Sequence, residues 1–169
     1  TAAPVDRFDS DPTNPVPTLW GKAWFTGPGD RRQLQHRPDI LCYRTAPLPE
    51  AVEITGYAQV VLFVSSTAPD TDFFARLVDE TEDGPASEIC YGMVRMRHRN
   101  GLDFHDTVPP GEVVELRIEL GPTACRFAAG HRIRLEVTSS DFPNHDRNHN
   151  TGRNDLADTG LQTATNTVY

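Results

Sequence analysis

Between Leu19 and Val137 the chain repeats short apolar runs, broken at spacings of about 10 to 20 residues by clusters of Gly, Pro and Asp. Runs of that length, closed by turn residues, are the signature of antiparallel strands and leave little room for helices. The clearest run is 113–120, where Val114, Leu116, Ile118 and Leu120 alternate with Glu115, Arg117 and Glu119. A strand sends successive side chains to opposite faces, so this run has one buried and one wet face. The run 132–138 alternates in the same way, Ile133, Leu135 and Val137 against Arg132, Arg134, Glu136 and Thr138. The expected register points Val114, Leu116, Ile118, Ile133, Leu135 and Val137 into one core.

Residues 59–64, QVVLFV, are apolar on both faces and suit a central strand covered on each side. Strands are also expected over 40–44, 73–78 and 89–97. Between them lie APDTD at 68–72, DETEDGP at 79–85, RNG at 99–101, VPPGE at 108–112 and AAG at 128–130, each placing Gly, Pro or Asx where a reversal needs it. Helix is confined to single turns near 48–52 and 123–127. The fold class is therefore all-β, a sandwich of two antiparallel sheets with Greek-key or jelly-roll connections.

Pro4, Pro12, Pro15 and Pro17 crowd the front of the chain, and residues 1–24 are expected to form an extended Pro-rich connector ahead of a sandwich spanning 25–169. From about 138 to 160 the sequence turns polar, rich in Asn, Asp, Thr and Gly, which predicts a long ordered loop or a loop with a stray edge strand. Its order is expected to come from within, through Asx turns at Asp141, Asn144, Asp146, Asn148 and Asn150.

The 169 residues suffice for one domain with a core of its own. The formal charge of −8 disfavours a nucleic-acid partner, and no run approaches the length of a membrane span. Cys42, Cys90 and Cys125 are an odd number at wide spacing in largely apolar surroundings, expected to be buried thiols in a reducing, bacterial cytoplasmic setting.

A nucleophile elbow G-x-S-x-G is absent; Ser65, Ser66, Ser139 and Ser140 end apolar runs, where a hydroxyl ordinarily caps a turn. His145 and His149 have the spacing of a zinc pair, but NHDRNHNTG is no helix and lacks the Glu of H-E-x-x-H; His36, His98, His105 and His131 stand singly and are expected at the surface. Asp146, Asn148 and Asn150 supply oxygens at alternate positions, a weak calcium pattern whose glycine falls one residue late and whose twelfth position is Ala157. No cofactor is expected. Trp20, Trp24 and Phe25 are aromatics outside the strand runs and read as docking residues before sugar-stacking ones.

Several blocks in order, DPTNPVPTLWG, RPDILCYRTAPL, EITGYAQVVLFVSSTAPDTDFFARLVDETEDG, GMVRMRHRNG, PGEVVELRIELGPTACRFAAGHRIRLEVTSSDFP and DRNHNTG, resemble the C-terminal domain of the X-Pro dipeptidyl-peptidase and cocaine-esterase (CocE/NonD) family of serine hydrolases. The resemblance implies a galactose-binding-domain-like jelly roll without catalytic residues, packed on an α/β-hydrolase catalytic domain of the same parent and helping to shape its substrate pocket. The parent would be an acyl esterase or a peptidase, and an oligomer is open to it. Phe142, Arg147, Asn148 and Asn150 join Trp20 and Trp24 as docking or pocket-wall candidates. His145 stands where the family commonly has an aromatic residue, and family members carry a final apolar strand beyond the segment resembling TNTVY. The rival reading is an autonomous carbohydrate- or calcium-binding jelly-roll module.

Overall fold

The computed structural model describes residues 5–19 and 29–169. Eight strands form two antiparallel four-stranded sheets. In chain order they are β1 (Asp6–Ser10), β2 (Leu41–Arg44), β3 (Val52–Ser66), β4 (Asp72–Glu80), β5 (Ala86–Arg95), β6 (Val114–Phe127), β7 (Arg132–Thr138) and β8 (Ala164–Val168). One sheet has the order β1-β8-β3-β6 and the other β2-β7-β4-β5. Every connection passes from one sheet to the other except the β4–β5 hairpin.

The space between the sheets is filled by alternate residues of both. Phe8, Leu62, Val64, Phe73, Ala75, Leu116, Ile118, Leu120, Val137 and Val168 are buried in one cluster, with Val114 and Leu135 packed against it half-buried. The inward register expected for β6 and β7 therefore holds for five of the six residues; Ile133, at the start of β7, is half-buried and outside this cluster. At one flank the two sheets approach so closely that a Cβ at Gly92 in β5 would collide with the Glu119 carbonyl of β6. Only glycine lets two backbones meet there.

Several expectations need correcting. Residues 6–10 lie within the expected connector, yet β1 pairs with β8 throughout its length and buries Phe8, so the sandwich begins well before residue 25. β8 is no stray edge strand but an interior one, bonded to β1 on one side and β3 on the other. The helical turn expected at 123–127 is the end of β6, paired with β3 from Val52 to Gly56. None forms at 48–52; the described helical turns are 3-10 turns at Arg31–Leu34 and Met96–His98.

The two outer faces are treated differently. On β7 the face expected to be wet is buried: Arg134, Glu136 and Thr138 are almost inaccessible to solvent. The 3-10 turn Arg31–Leu34 lies over them, with Arg31 Nε donating to Glu136 Oε2 at 2.8 Å and Arg134 paired to the same carboxylate. Asp30 caps this turn, accepting from the Arg32 and Ala86 amides. β3 differs in the opposite sense. Leu62 and Val64 point inward, but Val61 and Phe63, expected to be covered, are exposed on the outer face.

Cys42, Cys90 and Cys125 are free, half-buried thiols, and burial pushes all three above the usual thiol range. No helix among the described residues is long and apolar enough to cross a membrane.

Candidate functional site

The polar stretch between β7 and β8 is held against the β2-β7-β4-β5 sheet by charged side chains from β4 and β5. Register places Asp72, the first residue of β4, opposite Arg95, the last of β5. Arg95 forms a two-pronged bond to Asp72, Nε to Oδ1 at 2.8 Å and Nη2 to Oδ2 at 2.9 Å, a geometry that fits the planar guanidinium. Its Nη1 also reaches Asp155 Oδ2 at 3.2 Å. Two residues on, Arg97 donates from Nη1 to Asp70 Oδ2 at 3.1 Å and to the Arg153 carbonyl at 2.9 Å, and from Nη2 to Asp155 Oδ2 at 2.9 Å. Asn148 closes the cluster: its Nδ2 donates to Asp70 Oδ2 and Asp72 Oδ1, both at 2.8 Å.

Burial pushes the Asp72 carboxyl up, against the opposing pull of Arg95 and Asn148. Burial also works against the charge on Arg95, but Asp72 and Asp146 outweigh it and hold the guanidinium above its ordinary range. Buried charges are tolerated only when paired and hydrogen-bonded, and here each arginine meets two or more carboxylates.

A second anchor lies further along the same sheet face. Arg76 of β4, almost wholly buried, pairs with Glu88 and with Asp141 at the start of the loop, each at 2.9 Å. Its guanidinium stacks on Phe74 and Tyr91. His145 packs edge-on against the same two rings, with centroids at 5.1 and 6.0 Å, so it fills an aromatic slot. Phe142 bonds by its backbone to Val16 and Thr18, which ties the loop to the N-terminal stretch.

The expected site residues divide accordingly. Trp20 and Trp24 lie outside the described residues. Phe142 is exposed, with the Arg147 guanidinium 5.3 Å from its ring centre and Arg147 Nη1 bonded to the Pro12 carbonyl. Asn148 and Asn150 are turned inward. Asn150 takes φ 62°, a left-handed conformation that Asn accepts, and donates to the Ser10 and Gln162 carbonyls. The calcium pattern is pulled apart: Asp146 is mostly exposed on Arg95, Asn148 lies on Asp70 and Asp72, and Asn150 faces Ser10. The loop is ordered only partly from within. Its Asx bonds, such as Asn150 N–H to Asn148 Oδ1, are joined by stronger ties to β4 and β5.

Arg76, Arg95, Arg97, Asp70 and Asp72 are the residues that sequence reasoning missed. The available signal was the pair of alternating motifs Asp70-x-Asp72 and Arg95-x-Arg97, on runs that become neighbouring strands.

The four serines that end apolar runs are taken up by structural hydrogen bonds. Ser66 accepts from the Ala68 amide, Ser140 from the Val16 amide and Ser139 from the Asn166 side chain, while Ser65 shares a bond with the Tyr169 hydroxyl. A cleft of about 580 Å³ lined in part by Arg7, Asp9, Asp11, Arg37 and Asp39 opens beside β1. Within it Arg37 pairs with Asp39, and the Asp11 and Asp9 carboxylates accept from the Thr13 and Thr165 hydroxyls. Among the described residues no group of three or more His, Cys, Asp or Glu is placed to hold a metal.

Comparison with known proteins places this geometry in context. Residues 4–169 match the family described as X-Pro dipeptidyl-peptidase C-terminal non-catalytic domain. The cocaine esterase of Rhodococcus sp. (strain MB1 Bresler) is 46% identical over 152 residues, which is 88% of this chain and 26% of that enzyme. An α-amino acid ester hydrolase matches 99% of this chain with 30% of its own, at TM-score 0.90 and 28% identity. An aminopeptidase from a marine sediment archaeon, Thaumarchaeota archaeon, matches 100% of this chain with 31% of its own, at TM-score 0.88 and 27% identity. The chain thus spans between a quarter and a third of the length of these relatives.

Proposed function

Since the chain belongs to the X-Pro dipeptidyl-peptidase C-terminal non-catalytic domain family, we propose that it acts as the accessory sandwich of a serine hydrolase, packed on an α/β-hydrolase catalytic domain and helping to shape its substrate pocket. Relatives named as an esterase, an ester hydrolase and an aminopeptidase support a parent that cleaves acyl esters or peptide bonds. The strand order supports the finer reading of a jelly roll, because strands 1, 8, 3 and 6 share one sheet and 2, 7, 4 and 5 the other.

The observation that carries the reading is the way the chain spends its charged residues. The cluster around Arg95, Arg97, Asp70, Asp72 and Asp155 fastens a long surface loop to the sheet. A loop so held presents Phe142 and Arg147 in one conformation, which lowers the ordering cost of an interface. Such a wall can position a substrate or a neighbouring domain while the chemistry is supplied elsewhere. Trp20 and Trp24 remain candidates for the same contact.

The test compares the hydrolase with and without this domain. Removing it should lower ester or peptide turnover and the melting temperature of the catalytic part. A truncated hydrolase with unchanged kcat/KM and unchanged Tm would overturn the proposal.

A further inference from the structure

Residues 100–107, on the crossing from β5 to β6, form an unbroken exposed stretch that the function proposed above does not use. At its head stands Asn100-Gly101, and no other asparagine of the chain is followed by glycine.

We propose that Asn100 is a site of spontaneous modification, at which the side-chain amide is lost as ammonia and the residue becomes aspartate or isoaspartate. The Gly101 backbone nitrogen attacks Asn100 Cγ. The new bond closes a succinimide ring, the bond from Cγ to Nδ2 breaks, and the amide proton of Gly101 leaves with that nitrogen as ammonia. Water then opens the ring: cleavage at Cγ restores the ordinary backbone with an aspartate, and cleavage at the Asn100 backbone carbonyl carbon gives isoaspartate. Water is the only co-reactant, and nothing is oxidised or reduced.

The residue that follows decides how open the attacking nitrogen is. Gly101 has no side chain to shield it, and its φ of 121° is one that glycine adopts without strain. Asn100 itself is lightly held, because its Nδ2 donates only to Asp106 Oδ2, at 3.4 Å, among the described residues. The other asparagines differ. Asn14 precedes a proline, whose nitrogen has no proton to give up. Asn148, Asn150 and Asn166 are buried, and Asn144 is bonded to Tyr91 and Asp141. Asn154 is exposed, but its side-chain oxygen accepts from the Leu156 amide and an aspartate follows it.

One contact opposes the attack. The Gly101 N–H donates to the His98 carbonyl at 2.9 Å. That bond closes a single turn outside both sheets, and local bonds of this kind open without global unfolding. It slows the reaction without preventing it.

The product changes what fastens the stretch. Asp106 is its anchor, since its amide donates to the Arg97 carbonyl and its own carbonyl accepts from Arg99 Nη1. After conversion the tie from Asn100 to the Asp106 side chain becomes two carboxylates face to face, which repel. The stretch is thereby loosened beside Arg97, whose side chain pairs with Asp70 and Asp155.

The experiment keeps the 169-residue chain warm at mildly alkaline pH, with and without urea, and follows it by anion exchange, peptide mapping and labelling with an isoaspartyl methyltransferase. In the folded chain a more acidic species should accumulate, with the added charge and an isoaspartate fraction at residue 100, and Asn100→Gln should abolish it. Isomerisation at Asp83-Gly84 adds no charge and is told apart on the same column. Limited proteolysis should cut within 100–107 faster in the converted chain and in Asn100→Asp than in the starting chain. Conversion in urea alone would show that the His98 bond protects the turn, and would overturn the proposal. Conversion at another asparagine while Asn100 stays intact would overturn it too, and equal proteolysis of the two forms would overturn the loosening of the stretch.

Discussion

Arg76 and Asp141 meet at 2.9 Å with both side chains almost completely out of solvent, one from the middle of β4 and the other from the first turn after β7. This pair fastens the long loop to the sheet at the point where it leaves the core. Asp141 Oδ1 also accepts from the Thr18 hydroxyl and Oδ2 from the Asn144 amide, so the carboxylate is fully used. Removing it strands a buried cation that keeps only Glu88. Asp141→Ala should therefore cost about 3 to 5 kcal/mol, the usual penalty for breaking a buried pair from one side. The double variant Arg76→Met, Asp141→Leu should cost less than the single one, because no charge is left unpaired. Urea denaturation of the three proteins checks both statements.

The core makes a graded prediction. Ile118 of β6 is wholly buried, whereas Leu135 of β7 is only half-buried against the same cluster. Ile118→Ala should cost about 2 to 5 kcal/mol, and Leu135→Ala should fall below it because its site loses less buried surface and leaves less cavity. Equal costs would contradict the burial difference.

The alternation in β6 and β7 was enough to place their inner faces, because a strand's period is a local property. It failed for the outer face of β7. Arg134 and Glu136 look like solvent-facing residues, and the roof over them comes from Arg31, about a hundred residues earlier. No local pattern distinguishes a wet charge from one covered by a distant partner. Val61 and Phe63 mislead in the other direction, since their apolar side chains suggest a cover that the described residues do not provide. β1 and β8 escaped notice for a related reason: DRFDS and ATNTV bury Ser10 and Asn166 as well as Phe8 and Val168, so their inward faces are not uniformly apolar. The site followed the same rule. Asp70 and Asp72 read as turn residues until strand register set Asp72 opposite Arg95.

Acid should loosen the cover over β7. Arg32, bonded to the Asp30 carboxylate, holds that group well below the ordinary carboxylate range, and the Ala86 amide assists. A depressed folded pKa means that the native state resists protonation, so the stabilisation is present above the unfolded pKa of about 4 and is lost as pH falls through the folded value. The stability difference between the unaltered chain and Asp30→Ala should then be constant near neutrality and shrink below about pH 4. Thermal melts at a series of pH values measure it. A gap that widens in acid would contradict the sign.

The isolated chain should not hydrolyse a p-nitrophenyl ester. Its serine hydroxyls at 65, 66, 139 and 140 are tied to a tyrosine, two backbone amides and an asparagine side chain, and none of them is bonded to a base among the described residues. Turnover that survives repurification and is abolished by a serine-directed phosphonate would overturn this expectation. Loss of that turnover in a Ser65→Ala or Ser140→Ala variant would then locate the nucleophile.

Calcium should leave the melting curve where it is. A cation at the loop would need several oxygens converging at about 2.3 to 2.6 Å. Two of the three side-chain oxygens that the alternate spacing offered are committed elsewhere, Asp146 to Arg95 and Asn148 Oδ1 to the Asn150 amide, which leaves Asn150 Oδ1, buried without a hydrogen-bond partner among the described residues, as a lone donor oxygen. Two further carboxylates nearby, Asp70 and Asp72, are neutralised by Arg97 and Arg95, and a dication entering there would have to displace or repel both guanidiniums. Ligand that binds only the native state raises stability by RT ln(1 + [L]/Kd), so even a site of about millimolar Kd would move the transition at tens of millimolar calcium. Coincident melts in excess calcium and in excess chelator are expected. A rise of several degrees, abolished by Asp146→Ala, would show instead that the loop rearranges around a metal, and that the arginine pairs are its apo arrangement.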